Sequence, residues 1–332
     1  MQIDKCMFSE SKYRVLEQLQ SDPLASDLLW SLFCAAVESY RHDSILRPFP
    51  SAFLDERTRE KDVEHLRTVV SSIPSFQELI VNDNIQKTLP SESWDLLHWV
   101  LQTSSFRLCS VNSTDKFQNI KQLTHQVMSA SAPTHVYEVC PTGSREQKFQ
   151  KAKGEWKSLY AYHGSRIDNF FSILHNGLVS NLNKTSLFGT GTYLSSELTV
   201  ALHYSPVGWS WKKSLHGSQI SCVAVCEMID HPDLKCQTKG GKSSSRSYSS
   251  DSLAGKVPEK YYLVQNDDLV RVRYLLVYTE SPVKRKTCVN HPRSWWHQHK
   301  FFIMMMIYGV ALLAIGLATS KQFHRFLQKL FL

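Results

Sequence analysis

Residues 159–166 read Leu159-Tyr160-Ala161-Tyr162-His163-Gly164-Ser165-Arg166, and the fold of the surrounding chain is decided here. From this run to Tyr204, short apolar and aromatic segments alternate with glycine turns, and polar residues stand at the segment ends. That pattern is typical of a cleft that binds a small ligand, because such clefts combine apolar walls with a few placed polar groups. We therefore expect a binding site to be built from this segment.

The residues on either side predict an α+β fold. Short segments with β-strand patterning are Phe106–Ser110, Val136–Cys140, Ser158–Tyr162 and Ile220–Met228. A helix is predicted over Ile167–His175, closed by Gly177, and another over Ser196–Tyr204. Tyr261–Gln265 and Leu269–Thr279 flank a polar turn and are predicted to form a β-hairpin. The helices are too few for repeated βαβ units, so a mostly antiparallel sheet is expected.

The N-terminal third predicts an all-helical domain, with its boundary at residues 104–105. Asp27–Tyr40 carries an apolar stripe at helical spacing, and Ser26 is the predicted N-cap. A second stripe lies in Glu56–Ser71, and Ser91 or Ser93 is predicted to cap a third helix over Trp94–Leu101. Nothing in this region suggests a catalytic group.

The C-terminal residues predict a membrane anchor. Phe301–Ser320 contains no charged residue, and at 1.5 Å per residue it would span roughly 30 Å, the thickness of the hydrocarbon layer. Trp295-Trp296 lie where interfacial aromatic residues are common, and a basic linker, 284–300, precedes the span. The basic flank predicts that the N-terminal bulk is cytosolic and that 321–332 is lumenal. With twelve residues after the span, insertion is expected after synthesis.

Several common sites are excluded by missing residues. Gly189 and Gly191 are followed by Leu194 where a dinucleotide fingerprint needs a third glycine, and neither a phosphate-binding loop nor a Gly-x-Ser-x-Gly elbow occurs. The eight cysteines form no Cys-x-x-Cys pair, so no metal site is predicted. The formal charge of +8 is modest, and no basic helix interleaved with aromatic residues indicates specific nucleic-acid binding.

Three ordered motifs resemble the catalytic domain of the poly(ADP-ribose) polymerase family. They are His-Gly-Ser-Arg-x-x-Asn-Phe from His163, Leu-Phe-Gly-x-Gly-x-Tyr ending at Tyr193, and a further tyrosine at Tyr204. The resemblance covers about Phe106 to Ser281, predicts a catalytic domain over residues 105–283, and implies an ADP-ribosyltransferase that consumes NAD. The helical N-terminal region and the hydrophobic C-terminal segment are together similar to the tail-anchored mono-ADP-ribosyltransferases of the endoplasmic reticulum in this family.

The resemblance also implies roles for individual residues. His163 would bind the adenosine ribose, the backbone of Gly164 would bind the nicotinamide carboxamide, and Tyr193 and Tyr204 would enclose the nicotinamide ring. The catalytic residues it implies are His163, Tyr193 and Tyr261. The implied NAD-binding residues are His163, Gly164, Ser165, Arg166, Phe188, Gly189, Gly191, Tyr193, Tyr204 and Tyr261.

Two departures from the family pattern limit the expected reaction. Polymerases of the family carry a glutamate where this chain has Tyr261, and a phenol with a pKa near 10 is a poor base at neutral pH. Single transfer to protein is therefore expected instead of chain elongation. Ala201 stands where many members have a serine that contacts the carboxamide. The alanine removes that hydrogen bond, which would weaken binding of the nicotinamide group by on the order of 1 kcal/mol.

Three functions remain open at this stage. The first is an active mono-ADP-ribosyltransferase at the cytosolic face of the endoplasmic reticulum or nuclear envelope, with protein acceptors that include itself. The second is a catalytically weak NAD-binding scaffold on the membrane. The third is a binder of nucleic acid or anionic lipid through basic loops. The resemblance further implies the stress kinases of the endoplasmic reticulum as partners, in the unfolded protein response.

Overall fold

The strand predicted over Ile220–Met228 lies inside an antiparallel sheet and is buried along almost its whole length. The computed structural model describes residues 2–102, 105–125, 130–179, 191–238 and 260–279, with 304–306, 308–309 and 312. The described strands are β1 (Phe106–Val111), β2 (His135–Pro141), β3 (Ser158–Gly164), β4 (Thr192–Ser195), β5 (Gly208–Trp209), β6 (Gln219–Ile229), β7 (Lys235–Thr238), β8 (Lys260–Val264) and β9 (Val270–Thr279). They form one sheet in the order β1-β2-β9-β6-β3-β4-β8-β7, and β5 pairs with β6.

Seven helices precede the sheet, as predicted for the N-terminal third. They are α1 (Gln2–Ser21), α2 (Pro23–Glu38), α3 (His42–Ile45), α4 (Val63–Ser72), α5 (Phe76–Val81), α6 (Asp83–Thr88) and α7 (Ser91–Gln102). Four more lie between strands: α8 (Ser113–Leu123), α9 (Ser144–Lys153), α10 (Phe170–Asn176) and α11 (Leu198–His203). Both counts refer to the described residues.

The central strand β6 is buried on both faces of the sheet, because strand alternation divides its side chains between two cores. Cys222, Ala224 and Cys226 of β6 pack in the core that includes the N-terminal helices. Val223 and Val225, which alternate with them, pack against α8 and α11. This two-sided burial explains why Cys222–Cys226 of β6 is a continuous apolar run and why the strand was predictable from sequence.

The predicted hairpin of β8 and β9 is wrong, although both strands exist. β8 pairs with β4 and β7, whereas β9 pairs with β2 and β6. A short 3-10 helix, Asp267–Leu269, joins them, and the Asn266 side chain accepts the Asp268 N–H at its start. The turn residues were recognised correctly, but they carry the chain across the sheet instead of back along the same edge.

The predicted cap of the second helix is also wrong. The helix begins four residues before Asp27, at Pro23, and Asp22 is its N-cap, accepting the Ala25 N–H at 2.9 Å. Ser26 lies inside the first turn, and its hydroxyl donates to the Asp22 carbonyl at 2.8 Å. A proline at the first helical position is compatible with a start here, since the missing N–H would have no helical partner.

Residues 1–280 form one compact unit, and residues 281–332 form a second. The helical region and the sheet therefore share a unit, while the predicted boundary at 104–105 stays a prediction. The predicted anchor, 301–320, falls mostly outside the described residues. Within it, the structure describes 304–306, 308–309 and 312, and these are helical. Within the described ranges, no helix combines the length and apolar character that a membrane crossing needs.

Candidate active site

The His-Gly pair lies at the end of β3, in the register that places His163 opposite Ala224 and Gly164 opposite Val223 of β6. The Nδ1 atom of His163 is 2.9 Å from the carbonyl oxygen of Tyr193 in β4. A carbonyl only accepts, so Nδ1 carries the hydrogen and Nε2 of the neutral ring is an acceptor. Burial lowers the pKa of His163, which keeps the ring neutral at pH 7. An acceptor nitrogen at this position suits a sugar hydroxyl.

Gly164 is required by the packing of α11 on the end of β3. A Cβ atom on Gly164 would lie 2.0 Å from the carbonyl oxygen of Ala201 and 3.0 Å from Oγ of Ser205. No larger residue fits without moving α11, because such contacts are far inside van der Waals distance. The sequence predicted a glycine here for the approach of a ligand; the structure adds a second reason, the approach of a helix.

Tyr193 and Tyr261 meet on one face of the sheet. β4 and β8 pair Ser195 with Tyr261 and Tyr193 with Leu263, which makes the two tyrosines diagonal neighbours. Their rings stack with centroids 6.5 Å apart and an angle of 27° between the planes. Burial raises the pKa of Tyr261, and the nearby Tyr193 adds to the effect. The phenol of Tyr261 is therefore neutral at physiological pH and cannot act as a carboxylate would.

Gly191 lets the chain enter β4 beside β8. Its φ of 155° favours glycine, and a Cβ atom would lie 2.5 Å from Cδ1 of Leu263 and 2.9 Å from the carbonyl oxygen of Val264. The backbone approaches β8 closely here, and Tyr193 follows two residues later. The predicted NAD-binding residues Phe188 and Gly189 lie outside the described residues.

Tyr204 is the C-cap residue of α11, and 38% of its surface is exposed. Ala201, one turn earlier, is buried among the side chains between α11 and the sheet. The exposed position of Tyr204 next to the Gly164 contact is compatible with the predicted nicotinamide wall. Ala201 replaces the serine of many family members. Sequence reasoning missed a serine close to it, Ser205, whose Oγ accepts the N–H of Ser165 at 3.1 Å.

Ser165 and Arg166 border the same site, and further side chains hold them. Asn169 Nδ2 donates to Ser165 Oγ at 2.8 Å, and Arg166 Nε contacts Asp168 Oδ1 at 3.3 Å. Asp168 is buried, whereas the Arg166 side chain is 55% exposed. Asn169 belongs to the motif that begins at His163 but was given no role, and Asp168 was not predicted as a site residue, because the contacts that define their roles appear only in the folded chain.

The described residues contain no cluster of histidine, cysteine, aspartate and glutamate that could hold a metal ion. Burial raises the pKa of the Cys222 and Cys226 thiols, so they are inert at neutral pH. The predicted absence of a metal stays a prediction. The groups that do converge, a neutral histidine, an aromatic pair and glycine-rich backbone, are chemically suited to a nucleotide with a ribose and an aromatic ring.

The structure has a His-Gly strand end, a tyrosine-bearing neighbour strand and an antiparallel sheet covered by helices, which are features that the resemblance to ADP-ribosyltransferases implies. Residues 114–280 match the sequence profile described as the poly(ADP-ribose) polymerase catalytic domain. Residues 17–101 match that of the ARTD15 N-terminal domain. The chain belongs to the poly(ADP-ribose) polymerase family.

Two relatives align with nearly all of the chain. It is 42% identical to protein mono-ADP-ribosyltransferase PARP16 of Mus musculus over 315 residues, which are 93% of this chain and 95% of that protein. The Homo sapiens protein of the same name is 43% identical over 312 residues, 92% of this chain and 94% of the relative. Protein mono-ADP-ribosyltransferase PARP8 of Mus musculus is 26% identical over 328 residues, 84% of this chain and 34% of that protein.

These similarities confirm the predicted enzyme class, a transferase of the mono-ADP-ribosyltransferase type that uses NAD as its substrate. The resemblance drawn from the His163, Gly191–Tyr193 and Tyr204 motifs is confirmed with it. The roles of single residues are not given by a family match, and they stay predictions that the geometry above supports.

Proposed function

We propose that this protein transfers single ADP-ribose units from NAD to protein side chains, including its own. The observation that carries the proposal is Tyr261, a buried neutral phenol stacked on Tyr193 at the position where the family's polymerases have a glutamate. Elongation needs a group that accepts a proton from an incoming ribose hydroxyl. A phenol whose pKa is raised by burial does not accept it at neutral pH.

The reaction assigns a task to each part of the site. The bond between the ribose C1′ and the nicotinamide nitrogen breaks, and nicotinamide leaves with the electron pair. The nucleophilic side chain of the acceptor attacks C1′ and loses its proton to solvent. Nε2 of His163 accepts from the adenosine ribose, the Gly164 backbone binds the carboxamide, and Tyr193 with Tyr204 encloses the departing ring.

The remaining predicted residues complete the binding site in this proposal. Ser165 and Arg166 face the pyrophosphate side, and Phe188, Gly189 and Gly191 keep the NAD-binding role that the resemblance implies. Arg166 supplies a positive charge for the pyrophosphate, since guanidinium groups pair well with phosphate oxygens.

Intact mass spectrometry after incubation with NAD tests the proposal. The wild-type chain is expected to gain whole ADP-ribose units at separate sites, and the His163→Ala, Tyr193→Ala double variant is expected to gain none. A ladder of units on one site would contradict single transfer. Equal modification of wild type and double variant would contradict the assignment of the site.

Tyr261 gives a sharper test, because its ring and its hydroxyl are separable. If Tyr261 acts by packing against Tyr193, Tyr261→Phe keeps transfer within about threefold, and Tyr261→Ala loses about tenfold through the missing aromatic contact. If the hydroxyl were a general base, Tyr261→Phe would lose at least about 100-fold. Initial rates of labelling with NAD decide between the two roles.

The second candidate is a membrane-bound scaffold that binds NAD with little turnover. Two observations favour it: the absence of a carboxylate at Tyr261 and the alanine at Ala201, which offers no side-chain hydrogen bond to the carboxamide. It predicts that NAD raises the melting temperature of the protein without covalent modification. Labelling of the wild type that His163→Ala abolishes would exclude it.

We propose further that the chain is anchored once in the endoplasmic-reticulum membrane, with residues 1–300 in the cytosol. The support is the charge-free Phe301–Ser320 and the basic residues 284–286 before it. Removal of residues 301–332 is expected to release the protein from membranes that retain the full chain after alkaline extraction. Retention of the shortened chain would contradict the anchor.

The proposed partners are acceptor proteins on that membrane, with its stress-sensing kinases as the first candidates. Their support is the proposed location and the similarity to relatives named mono-ADP-ribosyltransferases. Purified cytosolic kinase domains, incubated with the wild-type chain and NAD, are expected to gain ADP-ribose. The same domains with the His163→Ala, Tyr193→Ala variant are the control, and equal labelling would contradict the proposal.

A further inference from the structure

The segment that follows His163-Gly164 is held by the N-terminal helical region as well as by the sheet. On the sheet side, the Ser165 N–H donates to Ser205 Oγ at 3.1 Å. On the other side, helix α2 packs against the 3-10 helix Ile167–Asn169, and the turn after α2 contacts the same 3-10 helix through hydrogen bonds. Two side chains of that turn, Ser39 and Arg41, make the polar contacts.

Ser39 anchors the buried carboxylate of Asp168. Its hydroxyl donates to Asp168 Oδ2 at 2.8 Å and accepts the Arg41 N–H at 3.2 Å. Both Ser39 and Asp168 are buried. A buried carboxylate needs such donors, because removing a partner leaves an uncompensated charge.

Asp168 in turn holds Arg166, whose Nε and Nη2 lie 3.3 and 3.5 Å from the two carboxylate oxygens. This contact uses one edge of the guanidinium and leaves its other hydrogens directed outward, where the side chain is 55% exposed. Ser39 therefore influences the direction in which a positive charge at the rim of the site points. The chain of contacts runs from helix α2 to the rim through a single buried carboxylate.

Arg41 orients Asn169, as Ser39 orients Asp168. Its Nη2 lies 3.4 Å from Oδ1 of Asn169, which fixes the orientation of that amide, and Asn169 Nδ2 donates to Ser165 Oγ at 2.8 Å. The Ser165 oxygen accepts this bond, and the hydroxyl retains one hydrogen that it can donate to a ligand oxygen. The two contact chains thus end at adjacent rim residues, Ser165 and Arg166.

We propose that Ser39 and Arg41 are positioning residues for NAD: through Asp168 and Asn169 they orient Arg166 and Ser165 toward the pyrophosphate and adenosine side of the substrate. The inference rests on the proposed function of the site. It makes the helical region a determinant of NAD affinity, and it leaves the bond-breaking step to the Tyr193 side. The prediction is therefore a change in KM for NAD at nearly constant kcat.

The test compares single variants of the full-length chain, purified in detergent, by initial rates of self-modification over a range of NAD concentrations. Ser39→Ala is expected to raise KM for NAD about tenfold and to leave kcat within about twofold. Ser39→Thr retains the hydroxyl and is expected to restore KM. Ser31→Ala is the matched control: Ser31 is a buried serine of the preceding helix α2 whose hydroxyl has no hydrogen-bond partner among the described residues, and the KM of this variant should equal that of wild type.

A double-mutant cycle with Asp168→Asn separates transmission through Asp168 from general loosening of the fold. If Ser39 acts through Asp168, the double variant raises KM no more than Asp168→Asn alone. If Ser39→Ala proves too unstable to measure, Arg41→Gln is expected to raise KM about threefold through the Asn169 contact.

The remaining outcomes contradict either the inference or the proposed function. A KM for Ser39→Ala or Arg41→Gln equal to that of Ser31→Ala, additive effects in the cycle, or a fall in kcat at constant KM would overturn the inference. If the wild type itself is neither labelled nor thermally stabilised by NAD, the proposed function fails instead. The two failures are therefore distinguishable.

Discussion

At the residue scale, the pKa of His163 predicts how NAD binding depends on pH. The pKa is lowered by burial, so Nε2 stays an acceptor from pH 8 to below pH 6.5 and becomes a donor only when the ring is protonated. NAD-dependent thermal stabilisation is expected to be constant from pH 8 to 6.5 and to be lost at more acidic pH. His65→Gln, in the helical region, should behave as wild type. A loss centred above pH 6.5 would contradict the assignment.

The lowered pKa of His163 also makes the free energy of unfolding depend on pH when no NAD is bound. Below about pH 6.5 the unfolded chain takes up a proton at His163 before the folded chain does. Because the unfolded state then binds more protons, this histidine contributes a stability that falls with acid and is fully present at neutral pH. Other groups titrate in the same range, so the contribution is seen in the difference between wild type and His163→Gln.

Gly164 predicts the clearest loss of function by one added methyl group. In Gly164→Ala the new Cβ meets the Ala201 carbonyl at 2.0 Å, so α11 and Tyr204 must move, and NAD labelling should be abolished. Gly217→Ala is the control for backbone effects: its Cβ would meet nothing within 4 Å, and its positive φ costs about 1–2 kcal/mol in stability. Normal labelling by Gly164→Ala would contradict the packing of α11 described above.

At the element scale, Asp22 carries two contacts and predicts the stability of α2. Its Oδ1 accepts the Ala25 N–H at 2.9 Å, and its Oδ2 accepts the N–H of Ser110 in β1 at 2.8 Å. Asp22→Ala is expected to lower the free energy of unfolding by about 1–2 kcal/mol, measured by urea denaturation. Asp22→Ser should recover only the helix cap. The exposed neighbour Ser21→Ala should have no effect, and an equal loss there would contradict the role of the cap.

The elements also mark the limit of prediction from sequence. β3, β6 and β9 were predicted because their apolar patterning is local and survives in any tertiary context. The hairpin of β8 and β9 was wrong because strand pairing is decided by contacts far apart in sequence: β6, β3 and β4 lie between them. Ser26 was preferred to Asp22 as the cap because the stripe that begins near Leu28 suggested a later start than Pro23.

In the candidate site too, residues in local motifs could be predicted, and residues that act through distant contacts could not. His163, Gly164, Gly191 and Tyr193 could be predicted as site residues because they belong to ordered motifs in the chain. Ser39, Asp168 and Ser205 were not, because each acts through a neighbour that folding brings close. Ser39 and Asp168, for instance, are 129 positions apart. No local pattern records such a contact, so a structure is needed to find it.

At the scale of the whole molecule, the helical region and the sheet are joined by a buried polar network around Asp27. This carboxylate accepts from Ser214 Oγ at 2.5 Å, Leu215 N at 3.0 Å and His216 Nδ1 at 2.8 Å. The other ring nitrogen of His216 bonds the hydroxyl of Tyr137 in β2. Trp30 of α2 packs edge-on against Trp211 in the same connection, with ring centroids 6.2 Å apart. The network therefore ties one helix to two separate parts of the sheet region.

This network predicts that residues 1–280 unfold as one cooperative unit. Asp27→Ala leaves three donors without their acceptor, that of the buried His216 among them, and is expected to lower the free energy of unfolding by about 3–5 kcal/mol. Since Asp27 links α2 to β2 and to the loop before β6, amide protection should fall in both the helices and the sheet.

Hydrogen exchange followed by mass spectrometry measures both regions in one sample. Asp43→Ala is the matched control, because Asp43 is an exposed aspartate of the same helical region and should leave both sets of amides unchanged. Loss of protection confined to the N-terminal helices would mean that they unfold separately from the sheet. In that case the predicted boundary at 104–105 would describe two independent folding units, and the effect of Ser39 on NAD would have to depend on docking between them.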